Sequence, residues 1–409
     1  MSALHRSKPF IRRVTIRNYR SIAFCQVELQ RLMFLVGPNG AGKSNFLDAL
    51  CFVADALRTS LDHALRDRGT IKEVRRRSGG HPNHFALRLD FSLPDGSEGH
   101  YSLRVDSKPG RGYAVQNEEC LIHTGPLPAQ THFYHVSSGS VIDSSVKILP
   151  AALPDRLFLV AASGLPEFRP VFDALSRMEV YNLNPNVIAL PQSPDPGDLL
   201  RRDGSNSASV LQQSDDDTRR RISHYLSRIV PTVSTVETKV LGAQETIEFR
   251  QNVKGQTYPW RFLASSMSDG TLRAFGILLA IFQSDKNPTS YPPLLIGLEE
   301  PEMALHPAAA GILLAALREA SQKVQILVTS HSPDLLDNPD IEMDSVLAVE
   351  NDDSLTRLGP IDSAGREILK QNLFTVGELL RQNQLAPDPV SVIDTHPERR
   401  RNLFDLNGH

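Results

Sequence analysis

Leu32-Met33-Phe34-Leu35-Val36-Gly37-Pro38-Asn39-Gly40-Ala41-Gly42-Lys43-Ser44-Asn45-Phe46-Leu47-Asp48-Ala49-Leu50 decides how the rest of the chain is read. Met33 to Val36 form a short apolar run that predicts a buried strand. Gly37 to Ser44 fits the pattern G-x-x-x-x-G-K-[ST], a phosphate-binding loop. Behind it, Phe46, Leu47, Leu50, Val53, Ala54 and Leu57 recur at helical spacing, so the loop lies between a strand and a helix start. Glycines let the backbone curl until its N–H groups converge on an anion, and the helix start adds partial positive charge. The phosphate-contacting set is Asn39, Gly40, Ala41, Gly42, Lys43, Ser44 and Asn45. Lys43 is placed to reach the β- and γ-phosphates, and Ser44 to ligate Mg²⁺. A Gly-rich turn with an incidental lysine is the bland alternative, and the matching strand and helix argue against it.

Composition narrows the classes. The 409 residues allow two or three compact units. A formal net charge of −3 supplies no global attraction for nucleic acid, so any DNA or RNA would need a local patch. Arg12, Arg17, Arg75, Arg76 and Arg77 are candidates for one. Cys25, Cys51 and Cys120 have neither metal nor disulfide spacing, which fits reduced thiols in a cytoplasmic setting. No stretch has the length of a transmembrane helix, so no membrane partner is expected, and the N-terminus does not read as a signal peptide.

Working outward from the loop, Phe10 to Val27 reads as two strands turning at Asn18-Tyr19-Arg20-Ser21, and polar Thr59–Gly80 reads as helical. Phe85, Leu87, Leu89, Phe91 and Leu93 alternate with polar residues, Asp95-Gly96 marks a hairpin, and Tyr101, Leu103 and Val105 alternate again. Tyr113 and Val115 begin a third run, giving an antiparallel meander. Residues 137–230 read as mainly helical around a proline-rich loop, with a helix start at 214–217. Val233 to Arg250 returns to strand character. A helix over 271–282, a buried strand over 294–298, a helix over 307–322 and a strand over 324–329 then alternate as in a covered parallel sheet. The expected divisions are an N-terminal lobe, 1–136; a helical insert, 137–232; a C-terminal lobe, 233–363; and a helical tail, 364–409.

Three later stretches carry chemistry. Leu294 to Leu298 delivers Glu299 and Glu300 to the end of a strand, where open α/β folds bind ligands. One carboxylate can serve Mg²⁺ and the other can orient and deprotonate a water. Ile326 to Thr329 leads to Ser330-His331, a titratable donor at the end of a second strand. Ser268-Asp269-Gly270 opens a helix and is either a second anion site or an ordinary cap.

In this order the parts resemble the ABC-type ATPases of the SMC and RecF group, and most closely the stand-alone AAA-family ATPases. Ile16-Arg17-Asn18-Tyr19-Arg20-Ser21-Ile22, the phosphate loop, Met267 to Thr271, Leu298 to Pro307 and Val328 to Leu336 carry the likeness. It implies an α/β fold: an ABC-type P-loop head with a mainly parallel sheet, an antiparallel β subdomain and a helical insert. It implies ATP and Mg²⁺ as cofactors, Glu299 at the metal-associated position, Glu300 as base and His331 as switch histidine. Ser268 and Gly270 would contact the γ-phosphate held by a second copy, with Met303 to His306 linking the two sites of an ATP-dependent homodimer. Such chains act as switches in DNA repair or antiphage defence, with an effector such as a nuclease or toxin. The departures are Glu299 where transporters carry Asp, and Asp269 where they carry Gly. Gln116 and Gln130 are candidates for the Mg²⁺-sensing glutamine, and Tyr19 for stacking on adenine.

Two related arrangements compete: an ATPase joined to a C-terminal metal nuclease, of the overcoming-lysogenization-defect type, and a transporter's ATPase subunit. Too little chain follows His331 for the first, and Val349 to Asp353 reads as a surface turn. Lys43 and Ser268 stand further apart than a transporter needs. A non-hydrolysing ATP-binding scaffold would have no use for Glu300 and His331.

Overall fold

The computed structural model describes residues 8–77, 82–125, 130–283, 292–389 and 403–404. The chain divides into two compact units, one of residues 1–178 and 342–409, the other of residues 179–341.

The first unit begins with β1 (Ile11–Tyr19), β2 (Ile22–Glu28) and β3 (Leu32–Val36), then the phosphate loop and the helix Lys43–Arg58. β1 and β2 pair as a hairpin whose turn needs positive φ at Asn18 (53°) and Arg20 (47°). The meander follows as β4 (His84–Ser92), β5 (Glu98–Ser107), β6 (Tyr113–His123), β7 (Thr131–Ser137) and β8 (Ser140–Ser144). The sheet is wider than its alternation suggests: β1 pairs antiparallel with β4, giving the seven-stranded order β2-β1-β4-β5-β6-β7-β8. Phe85, Leu87, Leu89 and Phe91 face inward, none more than 2% exposed. Phe52 of the long helix meets Phe85 edge to face at 5.2 Å and Tyr19 at 6.0 Å, which fixes the helix behind the loop onto this sheet.

The second unit holds β9 (Glu179–Tyr181), β10 (Val233–Leu241), β11 (Gln244–Gln251), β12 (Trp260–Leu263), β13 (Leu295–Glu299) and β14 (Gln325–Ser330). β13 lies between β14 and β9, parallel to both, and β10, β11 and β12 form a separate antiparallel sheet. Residues 137–230 carry helices, the longest being Asp216–Ile229, but also β8 and β9. Three residues are too few to show a period, which is why β9 does not stand out in the sequence. The helix Asp269–Phe282 seats Phe275 against Phe249 of β11 at 5.8 Å.

The chain then returns to the first unit as β15 (Val346–Asp352) and β16 (Leu355–Pro360). β15 runs parallel to β3 on one side and antiparallel to β16 on the other. Val349 to Asp353, expected as a surface turn, is therefore mostly strand; the turn is confined to Asp353 and Ser354, both at positive φ. Helices Ser363–Lys370 and Val376–Arg381 follow, and the basic end of the tail lies outside the described residues, as do Ser78 to Gly80.

Candidate functional site: a phosphate loop and a two-acid turn

In the first unit, β3 ends directly into the loop. Gly40 (φ 76°) and Gly42 (φ 101°) are left-handed, which is where the curl comes from. Gly37 is small for another reason: a Cβ there would stand 1.9 Å from Val349 O on β15. Asn39, Gly40 and Ser44 are exposed and Ala41 is buried. Lys43, the first helical residue, is 5% exposed and its Nζ donates to Gly37 O at 2.8 Å and Pro38 O at 3.0 Å. A buried amine folded onto loop carbonyls can exchange them for phosphate oxygens. The helix carries no acid in its first turn, and the Ser44 hydroxyl is exposed there, so these residues fit a polyphosphate with its Mg²⁺.

In the second unit, Glu299 closes β13 half-buried, and Glu300 turns away at φ 44°, unusual for a side chain with a Cβ. Two groups hold that turn. The Glu300 N–H donates to Thr329 O at 3.0 Å, with Thr329 Oγ1 at 3.2 Å, and Arg273 donates to Glu299 O at 3.2 Å and Glu300 O at 3.3 Å. Glu300 Oε1 then lies 3.1 Å from His331 Nδ1, within reach but out of line for a ring N–H bond. Glu302 accepts from Ser330 Oγ at 2.6 Å while its second carboxylate oxygen is buried with no hydrogen-bond partner. Burial pushes the Glu302 carboxyl above its ordinary value, against the lowering effect of the Ser330 bond.

Ser268 caps the helix Asp269–Phe282, its Oγ accepting from Thr271 N at 3.3 Å, and both Ser268 and Asp269 are exposed. Gly270 packs tightly on the Met303-to-His306 segment: an added Cβ would stand 2.4 Å from Ala304 O, and Ala304 is itself left-handed at φ 65°. The second unit thus brings Ser268, Gly270, Glu299, Glu300 and His331 onto one connected framework, in which the sequence reading named neither Arg273 nor Thr329. Their signal is weak, since an arginine inside a helix and a threonine in an apolar strand have no distinctive spacing.

Two assignments change, those of Tyr19 and of the arginines. Tyr19 does not stack on a base: it is fully buried, its hydroxyl donates to Asp48 Oδ2 at 2.6 Å, and its ring packs on Phe52 and Phe85. Burial and the Asp48 carboxylate both raise its pKa well above the ordinary value. Gln116 donates to Ser138 Oγ at 2.8 Å near the β6–β7 end of the seven-stranded sheet, while Gln130 is exposed ahead of β7. The arginines taken as a basic patch are mostly engaged by their own chain. Arg12 pairs with Glu98 at 3.1 Å, Arg17 lies over Phe24, Arg75 donates to Pro82 O at 2.6 Å, and Arg77 pairs with Glu73. Glu350 and Asp352 are likewise paired with Arg357. Among the described residues no helix is long and apolar enough to cross a membrane.

Residues 32–337 match the sequence family described as "AAA domain, putative AbiEii toxin, Type IV TA system". No curated protein matches the chain. Among solved structures, an SMC head bound to the C-terminal winged-helix domain of ScpA is similar at 14% identity and TM-score 0.54, over 88% of this chain and 100% of that one. An SMC head with an extended coiled coil, bound to the C-terminal domain of ScpA derived from Pyrococcus furiosus, is similar at 10% identity and TM-score 0.52, over 90% of this chain and 100% of that one.

Proposed function

The chain belongs to this AAA-domain family and has the fold of an SMC-type ATPase head, and from that premise we propose a Mg²⁺-dependent ATPase that closes into a homodimer on ATP and reopens after hydrolysis. The loop Asn39–Asn45 grips the triphosphate, with Lys43 moving from Gly37 O and Pro38 O to the phosphates. Ser44 and Glu299 are the oxygen ligands offered to the metal, Glu299 directly or through a water. Bound Mg²⁺ supplies charge neutralisation on the β- and γ-phosphates. Glu300 orients a water and takes its proton, and His331, 3.1 Å from the Glu300 carboxylate, donates toward the γ-phosphate. The exposed Ser268 and the half-buried Gly270 face the nucleotide of the second copy.

The observation that carries this reading is the conformation of Glu300. Its left-handed backbone is held by Thr329 and Arg273, and its carboxylate is 3.1 Å from His331. Strained backbone maintained by several partners is characteristic of a group that must be aimed. By function the chain divides into lobe 1–136, insert 137–232, lobe 233–363 and tail 364–409. The toxin–antitoxin system named in the family description favours a role in defence with a partner protein over one in DNA repair; a nuclease or toxin as effector is our own inference.

Glu300→Gln keeps the shape of the base and removes its basicity. With ATP it should stop turnover and trap a dimer visible by light scattering; ADP should not. Ser268→Arg added to it should block closure by bulk. An unchanged mass in all three conditions, together with an unchanged distance between labels near Ser268 and Gly40, would refute the switch.

A further inference from the structure

The phosphate loop is braced by two segments far from it in the sequence. Asn45 Nδ2 lies 2.5 Å from Ser21 Oγ, Ser21 Oγ is 2.7 Å from Thr356 Oγ1, and Thr356 Oγ1 is 2.9 Å from Ala41 O. The proton directions follow from the donor inventory. Ala41 O can only accept, so Thr356 spends its single hydrogen there. Ser21 must then donate to Thr356, and Asn45 must present its amide N–H to Ser21. The result is a one-way chain that leaves the loop at Asn45 and re-enters it at Ala41. Each hydroxyl in it donates and accepts at once, an arrangement that strengthens successive bonds.

Further contacts fix the frame. Thr356 N donates to Ser21 O at 3.0 Å, which ties β16 to the β1–β2 turn. Asn351 Nδ2 donates to Gly40 O at 3.2 Å. Thr356 is 3% exposed, and its hydroxyl occupies the space a Cβ on Gly42 would fill, 1.9 Å away. Gly42 is therefore required twice, for its φ and for this close approach.

We propose that Thr356, through Ser21 and Asn45, is a positioning residue that sets the shape of the phosphate loop before nucleotide arrives. The proposal rests on the nucleotide-binding reading above. Turning the Ala41 carbonyl outward onto Thr356 keeps an acceptor out of the loop's interior, where it would repel a phosphate. The brace acts on ATP and ADP alike.

Binding of Mg²⁺–ATP and Mg²⁺–ADP by isothermal titration, together with steady-state turnover and melting without nucleotide, tests this on the full chain. Thr356→Val keeps the volume and removes the hydroxyl. It should weaken both nucleotides by about tenfold, raising KM while kcat at saturation stays within about twofold. Thr356→Ser restores the hydroxyl and should bring affinity back to within about twofold of wild type. Ser21→Ala should reproduce the weakening, and the double change should cost less than the product of the two, because the groups share one chain. Wild-type affinity in both Thr356→Val and Ser21→Ala overturns the proposal, as does a lowered melting temperature with unchanged affinity. If Thr356→Val does not fold, Ser21→Ala decides alone. A wild-type chain that binds neither nucleotide sinks the nucleotide reading itself; wild-type binding with indifferent variants sinks only the brace.

Discussion

Replacing Gly270 with alanine puts one methyl group where the helix Asp269–Phe282 meets the Met303-to-His306 segment. The new Cβ would stand 2.4 Å from Ala304 O, and ordinary contact begins at 3.4 Å, so the carbonyl must retreat by about 1 Å. It cannot retreat alone. Ala304 sits at φ 65°, and the turn around it is closed by Met303 N to Glu300 O and Leu305 N to Glu302 O, both 3.0 Å. The displacement therefore reaches Glu300, the proposed base. A shift of about 1 Å in a group that must be aimed costs on the order of 100-fold in rate. Stability should move less, because alanine's helix preference of roughly 0.5–1 kcal/mol offsets an overpacking cost of about 1–3 kcal/mol. The assay is ATP affinity, turnover at saturating ATP and melting temperature, each compared with wild type. We expect affinity to change by no more than about twofold and turnover to fall by about 10–100-fold. Adding Ala304→Gly, which accepts the same φ freely, should recover part of the rate. Full turnover with an unchanged melting temperature in Gly270→Ala would refute the coupling from the helix Asp269–Phe282 to Glu300.

Lys43→Ala should reduce nucleotide binding below detection in equilibrium dialysis, since it removes the amine that donates to the loop carbonyls of Gly37 and Pro38. Arg68, whose side chain is 7% exposed, bridges Asp48 at 2.8 Å and Asp55 at 2.9 Å; Arg68→Leu should destabilise by about 1–3 kcal/mol in urea, because both acids lose their most enclosed cation while Asp48 keeps Arg20 and Asp55 keeps Arg58. Glu302 gives a pH signature. Its folded pKa is raised, so its contribution to stability is fully present below the ordinary value of 4.5 and is lost as pH rises through the raised one. Melting measured across that interval should slope downward in wild type, and the slope should flatten in Glu302→Gln.

The local chemistry was legible where a residue type and a spacing had one physical explanation. Gly42-Lys43-Ser44 between an apolar run and a helical period is such a case, and Glu299-Glu300 after a buried strand becomes one beside it. What was not legible depended on partners distant along the chain. The alternation of Phe85 to Leu93 predicts a strand, but nothing in it says that β1 pairs there, because the loop and a helix intervene. Tyr19, a candidate for stacking on adenine, is buried instead by Asp48, Phe52 and Phe85, which no local pattern joins to it. Arg12 of β1 looks available in the sequence because its acid, Glu98, lies on a strand further on. Thr356 gave no sign at all, being one threonine in a short strand.

The brace of Thr356 on Ala41 spans 315 positions, and that separation has a temporal meaning. On a ribosome adding 5–20 residues each second, roughly 15 to 60 seconds pass between the emergence of the loop and the emergence of its brace. During that interval the strand, loop and helix exist without the hydroxyl chain that shapes them. Nascent chains released before Thr356 should therefore be retained on immobilised ATP more weakly than the full chain, so on the proposed reading a nucleotide takes firm hold only late in synthesis.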